Sequence, residues 1–144
     1  MSVRIEGLDR LNAELSRVAE RFDREATRLV NRTAQNIRND AVRLVLRSTP
    51  SGRVYEKSNP RRTHRASAPG EPPATDTGRL AGSIRVQESG GPQAAVEASV
   101  DYAVHLEFGT RHMAARPFMT PATAANLARY QAGLRDLTRK AARK

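Results

Sequence analysis

The chain has 144 residues with 25 basic and 15 acidic side chains, 38% hydrophobic residues, no cysteine and no tryptophan. A single domain of this length hides roughly two-thirds of its unfolded surface, yet so little apolar mass is thin for a compact monomer. Either part of the chain stays unpacked or the packing is completed against neighbours. A disulfide framework and a thiolate metal site are excluded, and no apolar window is long enough for a membrane-spanning helix.

The formal charge of +10 is unevenly spread. Residues 1–47 carry net +3, residues 48–80 net +3, residues 81–110 net −3 and residues 111–144 net +7. Such a chain can meet polyanions at one surface and a basic partner, including its own copy, at another. The opening Met1-Ser2-Val3-Arg4-Ile5-Glu6 lacks the apolar run of a signal peptide, so a soluble protein that is cytoplasmic at synthesis, with no membrane partner, is expected.

In chain order, residues 2–6 read as a short strand broken by Gly7. Leu8, Leu11, Leu15, Val18, Phe22, Leu29, Thr33, Ile37 and Leu44 then recur at threes and fours. With no Gly or Pro before Arg47, this predicts an amphipathic helix of about 38 residues, roughly 57 Å long. A stripe of that length exceeds what a small sheet covers, which leaves room for a neighbouring subunit. Residues 50–76 hold five of the eight prolines and the run Arg61-Arg62-Thr63-His64-Arg65. They predict a long, mobile basic loop, either a solvated insertion or a segment that orders on a partner or on DNA.

Ser83-Ile84-Arg85-Val86-Gln87-Glu88 and Ala94–Val100 alternate like strands around the turn Ser89-Gly90-Gly91-Pro92, which predicts an antiparallel hairpin. Tyr102–Phe108 reads as two helical turns, with Tyr102, Leu106 and either His105 or Phe108 on one side and Gly109 ending it. Arg116-Pro117-Phe118-Met119 should be extended, and Pro121 suits the first turn of a last helix. Leu127, Tyr130, Leu134 and Leu137 would be the apolar stripe of that helix, and residues 125–144 its helix and basic tail. The elements fall in a single domain: a long N-terminal helix, a long basic loop, an antiparallel hairpin, a short helix and a C-terminal helix.

Chemistry is scarce. There is no phosphate-cradling glycine loop. His64, His105 and His112 include no pair at ligand spacing, and no acidic pair sits among apolar residues as acid–base catalysis needs. No enzyme, cofactor or metal is expected. The basic segments could grip phosphates without sequence preference, as a nucleoid-type DNA-binding protein would; base stacking is disfavoured, since Tyr55 alone lies near them.

Two ordered segments resemble a known family. The first is Ser67-Ala68-Pro69-Gly70-Glu71-Pro72-Pro73 followed by Asp76-Thr77-Gly78-Arg79-Leu80 and Ser83-Ile84. The second is Tyr102-Ala103, Glu107-Phe108-Gly109-Thr110, Arg116-Pro117-Phe118-Met119 and Pro121-Ala122. With Ile5-Glu6-Gly7-Leu8-Asp9-Arg10-Leu11 at the start, they resemble the phage gene-product-ten-like minor-tail family, the neck or tail-completion proteins of lambdoid-type siphophages and prophages, across roughly residues 3–123.

The resemblance implies an α+β fold, a long N-terminal helix packed on a small antiparallel sheet, and a structural virion protein at the head–tail junction, assembled in the host cytoplasm. It implies a homo-oligomeric ring, a hexamer, that meets neck, connector, tail-tube or terminator proteins and the DNA passing its channel. Within the motifs, Gly78 and Gly109 would relieve turns, and Asp76 or Thr77 would cap the next element. Phe108, Phe118 and Met119 would anchor the hairpin in the core or meet a partner. Glu107 needs a partner if partly buried, with Arg116 and Arg79 as candidates. Arg61, Arg62, Arg65, Glu107 and Arg116 are the expected contact residues; Gly78, Leu80, Ile84, Tyr102, Phe108, Gly109, Pro117, Phe118 and Pro121 are the structural ones.

Overall fold

The computed structural model describes residues 7–143, so the strand expected at 2–6 lies outside the described residues. Helix α1 runs unbroken over Leu8–Arg47, about 60 Å at 1.5 Å per residue, because nothing between these ends removes an amide or a Cβ. Helix α4, Met119–Ala142, packs along it. Asn126 donates to Asp40 at 2.7 Å, while a Cβ on Gly133 would meet Leu29 Cδ1 at 2.7 Å. Rising numbers on α4 thus meet falling numbers on α1, and the pair is antiparallel.

The seam differs from the expected stripes. The buried positions of α1 are Ala26, Ala34, Ala41 and Val45, and those of α4 are Ala122 and Asn126. Small side chains let the two backbones approach, so the larger residues flank the seam: Leu29, Ile37, Tyr130 and Leu137 are half-buried, while Leu127 and Leu134 are exposed. Leu8, Leu11 and Leu15 are also exposed. The last turns of α4, at Leu137 and Ala141, reach only Val18 and Phe22, and the first turns of α1 extend past that cover.

At the other end of α1 lies the core. Strands β3, Ile84–Glu88, and β4, Ala94–Ala98, form the expected antiparallel hairpin, with Ile84 opposite Ala98 and Val86 opposite Val96. This apolar face packs on α1. A short helix α2, Arg79–Ser83, leads into it and buries Leu80 and Ala81. Phe118, Ile84 and Val45 are the largest fully buried side chains and meet Ala41, Ala103 and Ala122 there.

Residues 50–76 correct the expectation of an irregular loop. They hold a second hairpin, β1, Val54–Ser58, and β2, Arg61–Arg65, with all five pairs in register. The expectation rested on poverty of large apolar residues, but cross-strand pairs and ion pairs can order a ribbon that buries little. This hairpin stands apart from the β3–β4 sheet.

Phe118 is 1% exposed at the centre of this core. Phe118→Ala should therefore cost about 3–5 kcal/mol, read from denaturant unfolding of the purified chain. Unchanged stability would show that its neighbours collapse into the space or that the core is not shared as described.

Candidate functional site

Three features around the core end of the molecule carry the residues singled out from the sequence. The first is built on helix α3, Ala103–Phe108. Consecutive helical residues point about 100° apart, so this short helix turns Glu107 inward and Phe108 outward. Glu107 is buried and accepts the amides of Phe118 at 2.8 Å, Met119 at 2.9 Å and Thr120 at 2.8 Å. These are the first N–H groups of α4, which have no acceptor within their own helix, and Phe118 at the N-cap supplies none. The positive pole of the helix also favours a carboxylate there. Burial pushes the Glu107 carboxyl up, but the Phe118 amide, the Thr120 hydroxyl and the Met119 and Thr120 amides together bring it below the ordinary glutamate range.

The partner expected for Glu107 was an arginine, and neither candidate fills that role. Arg79 is exposed. Arg116 donates from Nε at 3.2 Å and Nη2 at 3.1 Å to the carbonyl of buried Ser67, and its amide donates to Leu106 O at 2.7 Å. Backbone amides outcompete a guanidinium because they are already fixed at the site. Between α3 and α4 the chain must double back. Gly109 permits this with φ of 74°, and a Cβ there would meet Met113 O at 2.7 Å. Gly78 likewise takes a φ of 76° at the start of α2. Pro117 is half-buried just before Phe118, and Pro121 falls in the first turn of α4, where its missing N–H costs nothing.

The second feature is the basic hairpin. Its register puts Lys57 opposite Arg62 and Tyr55 opposite His64, so Lys57, Arg62 and His64 share one face and converge on Asp76. Arg62 Nη2 lies 2.8 Å and His64 Nδ1 4.0 Å from Asp76 Oδ1, and Lys57 hydrogen-bonds Oδ2. The hydrogen bond from Lys57, against a smaller desolvation, and then the Arg62 charge hold the Asp76 carboxyl below its usual value. Arg61 and Arg65 alternate onto the opposite face and are exposed. The expected trio of Arg61, Arg62 and Arg65 is therefore split.

Asp76 acts as the counter-ion of a strand pair and not as a helix cap; Thr77 Oγ1 reaches the Arg79 amide only at 3.5 Å. At the base of the hairpin, Glu71 accepts the Ser51 hydroxyl and the amides of Ser51 at 3.0 Å and Ala68 at 2.8 Å. The Ser51 hydroxyl, then the Ala68 amide, keep its carboxyl low. Both acids went unassigned as anchors. The signal for them was three acids among six bases in residues 48–80.

The third feature is an apolar surface. Phe108 was expected to help anchor the core, yet it is 75% exposed. Turning Glu107 in turns Phe108 out. With Val104 on α3, Leu127 on α4 and the edge of β4 at Val96 and Ala98, it borders an open groove of about 630 Å³. Tyr102, at the N-cap of α3, is also exposed. Among the described residues no cluster of His, Asp and Glu is placed to hold a metal ion, and no helix is long and apolar enough to cross a membrane. The arrangement presents contact surfaces around a fixed helix junction.

A family model described as "Bacteriophage HK97-gp10, putative tail-component" matches residues 9–109, well over half of the chain. The chain belongs to this family of phage tail components. No curated protein and no solved structure matches the chain. In this member of the HK97-gp10-like family the match takes in α1, both hairpins and α3 and ends at Gly109. Glu107 is thus inside the matched region, while the amides that it holds, at Phe118, Met119 and Thr120, lie beyond it. A structural role in the phage tail accords with the contact surfaces above.

Two outcomes test the anchors. Glu107→Ala strands three amides, and since a hydrogen bond to a charged acceptor is worth about 1.5–3 kcal/mol, unfolding should become easier by about 3 kcal/mol or more. Because Glu107 is lowered from 4.5 in the folded chain, its contribution is fully present at neutral pH. That contribution is lost as pH falls from 4.5 through the lower folded value, and a Glu107→Gln chain should lack this component of the acid transition. Asp76→Asn should leave the main melting transition in place while residues 54–65 exchange their amides faster. Unchanged exchange there would show that Asp76 does not hold the hairpin.

Proposed function

We propose that this tail component is a ring-forming neck or tail-completion subunit at the head–tail junction. The observation that carries the reading is family membership joined to the ordered motif set around Glu107, which holds two helices and the base of the basic hairpin together as one contact-bearing end. Supporting it are the low apolar content and the opposed charge of segments 81–110 and 111–144. In a ring, the acidic segment would meet a basic surface of the next copy. The basic hairpin and tail would face an acidic neighbour or the DNA channel, and neck, connector or tail-tube and terminator proteins would lie above and below. The subunit would assemble in the host cytoplasm and end in the virion.

A second reading, binding of DNA phosphates without sequence preference, is favoured by the exposed Arg61 and Arg65 on one face of β2. Contact with six phosphates would weaken roughly a thousandfold between about 50 and 200 mM salt.

Deletion of the gene should leave DNA replication and capsid assembly intact while heads and tails accumulate unjoined or joined particles leak DNA. Arg61→Ala with Arg65→Ala should impair joining or DNA retention without lowering stability, since exposed charges contribute little to folding. Normal infectious particles from the deletion would rule the assignment out.

A further inference from the structure

Among the described residues, two apolar surfaces have no partner, and they lie at opposite ends of α1. One is the row Leu8, Leu11 and Leu15, each more than half exposed. The row continues the α1–α4 seam past the point where α4 ends. On a helical projection Asp9, Arg10 and Arg17 fall on the far side of α1 from these leucines, and Glu14, on the flank beside Leu11, is paired with Arg17, so the row can be buried with Glu14 left at the rim. The other surface is the groove bordered by Val104, Phe108 and Leu127 over the edge of β4. Of the two acids that line it, Glu107 is satisfied by three amides, and Glu97 is exposed and takes a hydrogen bond from Gln87, so the floor of the groove suits a neutral apolar occupant.

We infer that the first turns of α1 of one copy dock through Leu8, Leu11 and Leu15 into the α3–α4–β4 groove of the next copy. Spacing i, i+3, i+7 is the anchor pattern of a helix laid into an apolar groove. The row cannot reach the groove of its own chain. Leu15 and Ala41, which sits in the core beneath Phe118, are 26 residues apart on one straight helix, about 39 Å at 1.5 Å per residue.

The contact is head-to-tail, so it repeats, and it closes only if the rotation between copies allows. Three helical turns in a groove fall short of the roughly 800 Å² per partner of a stable pair. An isolated dimer is therefore weak, while a closed ring uses both surfaces of every copy. The inference rests on the proposed ring for its closure, and supplies the contact that the ring lacks.

The natural chain has no cysteine, which makes disulfide trapping clean. Full-length Leu11→Cys and Val104→Cys chains, mixed under mild oxidation, should form a cross-linked heterodimer, and the double variant a ladder or a closed oligomer. Leu11→Glu and Phe108→Glu should each abolish self-association while melting as the natural chain does, since both positions are exposed. A Leu11–Leu11 cross-link in place of the mixed one would mean symmetric helix pairing and overturn the contact. So would a chain that stays monomeric at high concentration, or either Glu variant remaining assembled. Labelled protein in the virion neck without the mixed cross-link would refute the contact and leave the neck reading standing. The mixed cross-link with no labelled protein in virions would establish the contact and refute the neck reading.

Discussion

A buried carboxylate normally prefers its neutral form, because the low-dielectric interior penalises charge. Glu107 resists that tendency by meeting three amides that would otherwise be orphaned at the start of α4. Neither side is stable alone: the helix end lacks a cap of its own, and the acid lacks a cation. Joined, they fix where α4 begins, and with it the position of Phe118 in the core. The same loop carries Arg116 to the Ser67 carbonyl, and the Gly70 amide donates to Ala115 O at 3.0 Å. One acid–amide contact thus sets α3, α4 and the base of the basic hairpin relative to each other.

The low apolar content becomes intelligible from the α1–α4 seam. Where alanines line the contact, little hydrocarbon is needed to bring two backbones close, and dispersion between well-fitted surfaces replaces bulk. The cost is that the larger residues of each helix lie beside the seam or beyond it. Leu127 and Leu134 face out from α4, and Leu8, Leu11 and Leu15 extend past its end. A chain built this way keeps apolar surface available for other molecules, as a subunit of a larger particle requires.

Charge is used in two ways. The acids Glu71, Asp76 and Glu107 are internal anchors, each held below its ordinary pKa by donors around it. Most of the arginines stay in water. The excess of basic charge is therefore a property of the surface, and the minority acids organise the fold. Within the hairpin this division decides that Arg62 is structural while Arg61 and Arg65 are free to meet a partner.

Much was legible in the residues themselves. A stripe recurring at threes and fours over about 38 residues with no Gly or Pro reads as a helix, the alternation around Ser89–Pro92 as a hairpin, and the Arg-Pro-Phe step as an extended approach to Phe118, because these follow from backbone sterics and periodicity. The ordered motifs likewise pointed to the tail-component family. Which face of each helix is covered, which partner Glu107 takes and whether Phe108 points in or out were not legible. Those depend on where α4 lies along α1, a contact between residues nearly a hundred positions apart, and on competition between an arginine and pre-positioned amides. The basic hairpin escaped a reading based on apolar content because its order comes from register and from Asp76, which only the folded chain brings beside Lys57, Arg62 and His64.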